Sequence, residues 1–305
     1  MTITRLPMNP STASHQNRVA FDQAVAELRP RLHRYCARMT GSVIDGEDVV
    51  QETLLKAIEA LPRTDSIAHL EGWLVRIAHN AALDFLRRRS RRDAALSDED
   101  PEMIVDPAPA AIDREIAAAS LLTFMHLPVA QRSSVILMDV LGYSLEEIAG
   151  VTGSSIPAIK AALHRGRARL HELAQEHDDR PLPVLADAER SLLAAYVDRF
   201  NARDFDTLRN MLADEVQLDL VNRTQRSGRS EVGNYFSNYV RIGGWQLVSG
   251  FVDRRPAVLV RDPGDPVGAP LYFILLQWGG AGIVNIRDFR YARYAMEGAE
   301  LVISD

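Results

Sequence analysis

The spacing of apolar residues divides the chain into helical and strand-forming parts. From about Val19 to Arg92 apolar positions recur every three or four residues, and the same spacing returns from Ile112 to about Glu176. Beyond Ala213 the apolar runs are short and are separated by Gly, Pro and Asp turns. This pattern predicts a multidomain protein: two all-α modules, then an α+β domain with helices and four or five antiparallel strands.

Two polar stretches predict where these modules are joined. Residues 97–110 (SDEDPEMIVDPAPA) are acidic and proline-rich, and residues 177–187 (HDDRPLPVLAD) are similar in character. We therefore expect a disordered N-terminus over 1–18, a helical module over 19–92, an acidic flexible linker over 93–112, a second helical module over 113–176, a linker over 177–187 and the α+β domain over 188–305.

The composition is that of a soluble globular protein, with 47% hydrophobic and 25% charged residues in a chain of 305. The one cysteine, Cys36, excludes an internal disulfide and fits a reducing cytosol. The polar N-terminus contains no apolar stretch of signal-peptide length, and the apolar run Leu271–Leu276 is far too short to span a bilayer. We expect a cytoplasmic protein with no membrane partner.

The net charge of −6 conceals an uneven distribution of charge. Six arginines and one acid, Asp84, lie between Trp73 and Arg92, whereas residues 93–113 contain seven acids and neither lysine nor arginine. Because local charge rather than net charge determines a contact surface, the arginine-rich segment remains a candidate for binding nucleic acid.

The helix predicted around residues 48–61 has an apolar and an acidic face. The apolar face holds Val50, Leu54, Ala57, Ile58 and Leu61, and the acidic face holds Asp48, Gln51, Glu52 and Glu59 with Leu55 among them. Most acidic faces are simply solvated. An apolar side chain within this one also fits a surface that contacts another protein.

The next predicted helix separates in the same way. Its buried stripe is Leu74, Ile77, Ala78, Ala81 and Phe85, and its other side carries Trp73, Arg76, Asn80, Asp84, Arg87, Arg88 and Arg91. An exposed tryptophan on such a face can stack on an unpaired base while the arginines bind phosphates. The alternative is a tryptophan folded onto the core beside a solvated basic end.

Residues 127–170 predict a helix–turn–helix. Ser144 and Glu147 have the spacing of a capping box, Gly153 fits the turn, and Ser155 caps a second helix that tolerates Pro157 in its first turn. Ile156, Ile159, Leu163 and Leu170 are predicted to face inward. The outward positions are Ser155, Pro157, Ala158, Lys160, Ala161, His164, Arg165, Arg167 and Arg169, a surface suited to the DNA major groove. An αα-hairpin with a solvated basic face is the alternative.

Together these motifs resemble the extracytoplasmic-function class of bacterial RNA polymerase sigma factors over roughly residues 19–175. The resemblance rests on DVVQE at 48–52, on WL, IAHN, Asp84 and RR between 73 and 88, and on the second module. There the matching residues are Leu127-Pro128, Arg132, Gly142-Tyr143-Ser144, Glu147-Ile148-Ala149 and LHRGRARL at 163–170.

This resemblance implies roles for each surface. Asp48, Gln51, Glu52 and Leu55 would bind the coiled coil of the largest core polymerase subunit. The loop 62–71 and the helix from Trp73 would melt and read the −10 promoter element, and the helix from Ser155 would read the −35 element as duplex. The acidic linker would run toward the RNA exit path. Pro157-Ala158 departs from the family pattern and leaves the −35 sequence open.

Residues 188–305 resemble the SnoaL-like branch of the NTF2-like superfamily, a conical barrel with a pocket, through Tyr196, FNARDFD at 200–206, Leu208 and Leu212-Ala213. Such domains in some sigma factors are thought to regulate the sigma modules in cis. The resemblance implies a regulatory domain, with a small-molecule ligand left open. The residues predicted to face its pocket are Asp219, Tyr235, Tyr272, Gln277 and Asp288.

We therefore expect an alternative sigma factor whose partners are core RNA polymerase and promoter DNA. Nothing in the sequence calls for a cofactor or a metal. The same fold includes enzymes, in which a carboxylate base and a polarising donor converge in an apolar pocket. The alternatives are therefore a helix–turn–helix regulator fused to a small-molecule isomerase or hydrolase, and a regulator that does not engage polymerase.

Overall fold

The computed structural model describes residues 10–63, 69–94, 119–175, 181–241, 244–265 and 268–304. The first half is helical. Its helices are α1 (Pro10–Thr40), α2 (Val43–Ala60), α3 (Leu70–Ala94), α4 (Leu121–Met125), α5 (Val129–Val135), α6 (Leu145–Thr152) and α7 (Ile156–Ala174). A 3-10 turn, Leu61–Arg63, follows α2, and a π-helical turn, Ile136–Val140, extends α5.

Two boundaries differ from those expected. Residues 10–18, which were predicted to be disordered, belong to α1, and residues 1–9 of the same stretch lie outside the described residues. Helix α3 continues to Ala94, so the start of the predicted linker is helical. Most of that linker, the resumption of helix at Ile112, and positions 64–68 of the predicted −10 loop lie outside the described residues.

Local capping determines where several helices begin and end. The Ser144 hydroxyl accepts from the Glu147 amide and the Glu147 carboxylate accepts from the Ser144 amide, so the predicted capping box is formed. Gly153 ends α6 with φ 71°, a left-handed conformation that glycine adopts at little cost. Ser155 then caps α7, and Pro157 occupies its first turn.

The second half is an α+β domain. Its helices are α8 (Asp187–Asn201), α9 (Phe205–Asn210) and α10 (Arg229–Arg241). Its strands are β1 (Leu212–Leu220), β2 (Thr224–Ser227), β3 (Gln246–Val252), β4 (Arg255–Arg261), β5 (Tyr272–Gly279), β6 (Gly282–Asp288) and β7 (Leu301–Ile303). They form one seven-stranded sheet in the order β2-β1-β6-β5-β4-β3-β7.

The α+β class is confirmed, whereas the expected count of four or five antiparallel strands is wrong. The sheet has seven strands, and β1 and β6 pair in parallel. The short strands β2 and β7 escaped the pattern because a strand of three or four residues at a sheet edge shows no clear alternation.

Three hydrophobic clusters hold the chain together. One runs through both helical modules and includes Leu74 of α3 and Leu163 of α7. A second fills the space between α8–α10 and one face of the sheet. The third joins the opposite face of the sheet to α1 and α2, where Val43 and Ile44 share a cluster with Phe273 and Phe289. The α+β domain is therefore packed against the first helical module through an apolar contact.

Candidate functional site

The acidic face of α2 is exposed at its two ends and partly buried in the middle. Leu55 is 63% exposed, and the Asp48 side chain is 46% exposed. Beneath them, Val49, Val50 and Leu54 are buried. Gln51 and Glu52 are partly buried between these positions. The four residues thus form one continuous strip along the helix.

Charge on this strip is already partly neutralised within the chain. Glu52 accepts from Arg88 at 2.7 Å and from Lys56 at 2.8 Å, and Asp48 contacts Arg287 at 2.7 Å. Burial raises the pKa of Asp48 although Arg287 opposes it. For Glu52 burial is outweighed by the bonds from Arg88 and Lys56, so its pKa lies below the usual value.

Helix α3 presents the predicted basic face. Leu74, Ala78 and Ala81 are buried, and the exposed positions are Arg76, Asn80, Arg87, Arg88 and Arg91. Trp73 is partly buried against the helical core, which lies between the exposed ring and the ring folded onto the core that the sequence left open. Asp84 contacts Lys56 and Arg87, each at 3.5 Å. Part of the Trp73 side chain therefore remains accessible.

Helix α7 keeps most of its predicted polarity. Ile159, Leu163 and Leu170 are buried, while Ile156 is only partly so. The exposed positions are Ser155, Pro157, Ala158, Lys160, His164 and Arg165, whereas Ala161, Arg167 and Arg169 are intermediate. This end of the helix offers a small-residue front flanked by cations, which suits contact with DNA.

On α7, the predicted DNA-binding cations Arg167 and Arg169 have intramolecular partners. Arg167 donates to both oxygens of Asp139, at 2.9 and 2.5 Å, and the Asp139 side chain is only 2% exposed. Arg169 contacts Glu172 at 2.9 Å. The Arg167 guanidinium therefore fastens α7 to the π-helical turn, a role that the sequence pattern did not indicate.

The two predicted DNA-binding helices lie close together. A cavity of about 420 Å³ between the helical modules is lined by Leu83 and Arg87 of α3, by residues of α5, and by Ala158 and Ile159 of α7. Arg132, on α5, links the two helical modules by donating to the carbonyl of Met39 at 2.7 Å. It also donates to the carbonyl of Leu127, in its own module, at 2.9 Å. The helical modules are thus held in a compact arrangement.

The predicted pocket residues of the α+β domain separate into two groups. Tyr235 and Asp288 meet inside the domain, where the tyrosine hydroxyl donates to the carboxylate at 2.7 Å, and Tyr272 is buried beside them. The expectation that Asp219 and Gln277 also face the inside of the domain is wrong. Asp219 lies on the opposite face of β1 beside Arg287, and Gln277 is exposed.

The hydrogen bonds of Asp288 are satisfied within the domain. Oδ2 accepts from Tyr235 and, at 2.8 Å, from Tyr239, and Oδ1 accepts from the Arg290 amide at 2.8 Å. Burial raises the pKa of Asp288, and these donors oppose the shift. A carboxylate held in this way has the surroundings of a structural group rather than of a base open to substrate.

The contact between α2 and the α+β domain contains residues that the sequence did not single out. Asp253, at the tip of the β3–β4 hairpin, accepts from the Val43 amide at 2.6 Å. Arg255 contacts Asp45 at 2.6 Å. Buried Glu47 pairs with Arg29 and accepts from the Tyr294 hydroxyl at 3.0 Å. None of these positions shows a periodic signal, because the bonds that cross from α2 to the α+β domain join residues more than two hundred positions apart.

Two further properties concern only the part of the chain that is described. No helix there is long and apolar enough to cross a membrane. No group of three or more His, Cys, Asp or Glu side chains there is arranged to bind a metal ion.

Comparison with known families matches both helical modules. Sigma-70 region 2 matches residues 24–92, and Sigma-70, region 4 matches residues 121–170. RNA polymerase sigma factor CarQ of Myxococcus xanthus is 34% identical over 157 residues, covering 52% of this chain and 90% of CarQ. The chain belongs to the sigma-70 family, among the extracytoplasmic-function sigma factors.

Another relative extends the match beyond the helical modules. ECF RNA polymerase sigma factor SigG of Mycobacterium tuberculosis is 32% identical over 226 residues, which is 66% of this chain. The chain spans 61% of the length of SigG and 63% of that of SigE from Mycolicibacterium smegmatis. SigG is thus similar across a longer part of the chain than CarQ is.

Two of the solved structures found by comparison match different shares of the chain. The extracytoplasmic function sigma factor SigJ of Mycobacterium tuberculosis has a TM-score of 0.35 and 20% identity, covering 88% of this chain and 95% of SigJ. A SnoaL-like protein of Burkholderia thailandensis has a TM-score of 0.28 and 17% identity, covering 35% of this chain and 96% of that protein.

Proposed function

We propose that this chain is an alternative sigma factor that binds core RNA polymerase and directs it to a specific set of promoters. The observation that carries the proposal is the presence of sigma-70 regions 2 and 4 in one chain, with an exposed strip on α2 and an exposed cationic end on α7. Its action is binding rather than covalent chemistry, in keeping with a family whose members are not enzymes.

Polymerase capture is assigned to Asp48, Gln51, Glu52 and Leu55. Leu55 exposes apolar surface to water, which is unfavourable. Burying this surface against a partner would stabilise the complex. The neighbouring carboxylates make the strip negatively charged, so that it favours a partner surface carrying arginine or lysine. This combination of an apolar centre and a charged surround is typical of a protein contact.

Promoter recognition is assigned to the two basic helices. The N-terminal end of α7 would enter the major groove at the −35 element, where Ala158 and Ala161 allow close approach and Lys160 and Arg165 reach phosphates or guanine edges. The exposed arginines of α3 would hold the opened −10 strand, with part of the Trp73 ring available for stacking on a base.

The compact arrangement has to open for both elements to bind. Positions −10 and −35 are separated by ~25 base pairs, which at ~3.4 Å each is about 85 Å of duplex. In the structure Arg87 and Ala158 line the same cavity. The described conformation therefore fits a sigma factor that is not engaged with a promoter.

Regulation in cis is assigned to the C-terminal α+β domain. Its support is physical contact: the domain shares an apolar cluster with α1 and α2 and forms ion pairs with Asp45 and Asp48. A domain attached to the predicted polymerase-binding helix is in a position to alter how that helix is presented. The proposal includes regulation of the domain by a small-molecule ligand.

Binding to purified core polymerase by full-length protein tests the central assignment. Leu55→Arg is expected to weaken binding at least tenfold, because it places a cation where the partner is expected to carry one, at a cost of about 1.4 kcal/mol or more. Glu189→Arg, an exposed position on α8, is the matched control and is expected to bind as the unaltered protein does. Unchanged binding by Leu55→Arg would contradict the assignment.

A further inference from the structure

Arg287 projects from the sheet of the C-terminal domain onto the polymerase-binding strip proposed above. Its Nη2 lies 2.7 Å from Asp48 Oδ1, and its Nε lies 3.6 Å from Asp219 Oδ2. The Arg287 side chain is 18% exposed, compared with 46% for Asp48. One arginine of the C-terminal domain is thus paired with a carboxylate of the strip.

The C-terminal domain holds this arginine firmly in place. On β6 the side chains of Ile286 and Asp288, on either side of Arg287, point into the domain. Because successive side chains of a strand point to opposite faces of the sheet, the Arg287 side chain points outward. Its guanidinium lies 5.5 Å from the ring centroid of Phe289, which is itself stacked on Phe273 at 4.1 Å. Asp219 flanks it from β1. The guanidinium is therefore oriented before any partner arrives.

The domain is also fastened to the helix that carries Asp48. The hairpin residues Asp253 and Arg254 have φ values of 47° and 64°, and this turn places the Asp253 carboxylate at the N-terminus of α2. A carboxylate there satisfies free amides and interacts favourably with the helix dipole. With the apolar cluster behind it, this cap keeps Arg287 beside Asp48 at a high effective concentration.

We propose that Arg287 competes, within the same chain, with a cation of core polymerase for the Asp48 carboxylate. The inference rests on the proposed sigma function and specifies how the C-terminal domain would regulate it. Polymerase can contact Leu55 and Glu52 first, because the strip residue that Arg287 pairs with is Asp48, at the other end of the strip. Completing the contact then requires the Arg287 side chain, and not the whole domain, to move.

A cleft beside the pair provides room for that movement. Its volume is about 520 Å³, and it lies between α2 and the outer face of strands β1, β2 and β6. The polar side chains that line it include Gln51, Gln217, Asp219, Gln225, Ser227 and Asn285. A guanidinium displaced from Asp48 would keep Asp219 and gain amide oxygens as acceptors, which lowers the cost of displacement.

Affinity of the full-length protein for purified core polymerase tests this inference. Arg287→Gln removes the competing charge and is expected to bind about fivefold more tightly, the order of a partly exposed ion pair. Arg287→Lys keeps the charge and is expected to stay within about twofold of the unaltered protein. Arg255→Gln breaks the neighbouring pair with Asp45 and acts on Asp48 only through a weaker charge interaction than Arg287, so it is the comparison variant with a smaller expected gain in affinity.

Each alternative result has a defined meaning. Equal affinity for Arg287→Gln and the unaltered protein would overturn the competitor role. Weaker binding by Arg287→Gln would overturn it as well and would show that Arg287 itself contacts polymerase. An equal gain for Arg255→Gln would mean that loosening of the whole domain, not release of Asp48, controls affinity. Absence of binding by every variant and by the unaltered protein would contradict the sigma function itself.

Discussion

At the scale of single residues, buried polar groups in the helical modules make stability depend on pH. The Tyr35 hydroxyl is hydrogen-bonded to His79 Nδ1 at 2.7 Å, and burial raises the pKa of Tyr35, so the hydroxyl keeps its proton. Burial lowers the pKa of His79 to about 4. Burial also lowers the pKa of His33, which is close to Glu47 and Arg29. Both imidazoles are therefore neutral in the folded protein at neutral pH.

The direction of the pH effect follows from these shifts. Unfolding returns His79 to an ordinary pKa of about 6.5, so the unfolded chain binds more protons between about pH 6.5 and pH 4. We expect the melting temperature to fall as pH drops from 7.5 to 5, and His79→Gln to reduce that fall. A melting temperature equal at both pH values would contradict the assignment of these histidines as neutral and buried.

The periodicity of helices and strands explains which site residues could be predicted from the sequence. Asp48, Gln51, Glu52 and Leu55 follow helical periodicity within one element, so their shared face was predictable. Tyr272 and Gln277 are five positions apart on one strand, and an odd separation puts them on opposite faces. Arg287 carried no local signal, because its significance depends on α2, which is distant in sequence.

At the scale of elements, the helix–turn–helix was predictable because its signals are local. Ser144 with Glu147, Gly153, and Ser155 with Pro157 define where α6 and α7 begin and end, and each performs the expected role. The parallel pairing of β1 with β6 was not predictable, because strand order depends on contacts between segments far apart in the chain.

Two arginines on α7 are expected to behave differently. Arg165 is exposed, so Arg165→Ala should weaken binding to a −35 duplex and lower its salt dependence, with little change in melting temperature. Arg167→Ala leaves the buried Asp139 carboxylate unpaired and should lower the free energy of unfolding by roughly 2 to 3 kcal/mol, since Arg167 is itself partly exposed. Duplex binding and chemical denaturation of both variants measure this contrast, and equal effects on stability would contradict it.

At the scale of the whole molecule, the three hydrophobic clusters indicate two kinds of contact between modules. The C-terminal domain joins region 2 through an apolar cluster and a helix cap, and among the described residues region 4 contributes only Leu121 to that cluster, which indicates a lasting attachment to region 2. Regions 2 and 4 also share a cluster, yet the proposed function requires them to separate on a promoter. We therefore expect region 4 to be the part that moves.

This movement can be measured by energy transfer between two labels. Ser90 on α3 and Ser154 before α7 are both exposed, and the natural Cys36 is buried, so cysteines placed at the two serines can be labelled selectively. Transfer should be high in the free protein and close to zero in a complex with core polymerase and promoter DNA. High transfer that persists in the complex would contradict the opening of regions 2 and 4.

Transcription in vitro with full-length protein and purified bacterial core polymerase tests the central claim most directly. The template would carry the DNA upstream of this protein's own gene and a panel of promoters recognised by sigma factors of the same class. If the chain is a sigma factor, we expect transcripts that start at a defined position, require the added protein and are lost with Leu55→Arg. Polymerase binding without any promoter-dependent transcript, or transcripts unaffected by Leu55→Arg, would contradict it.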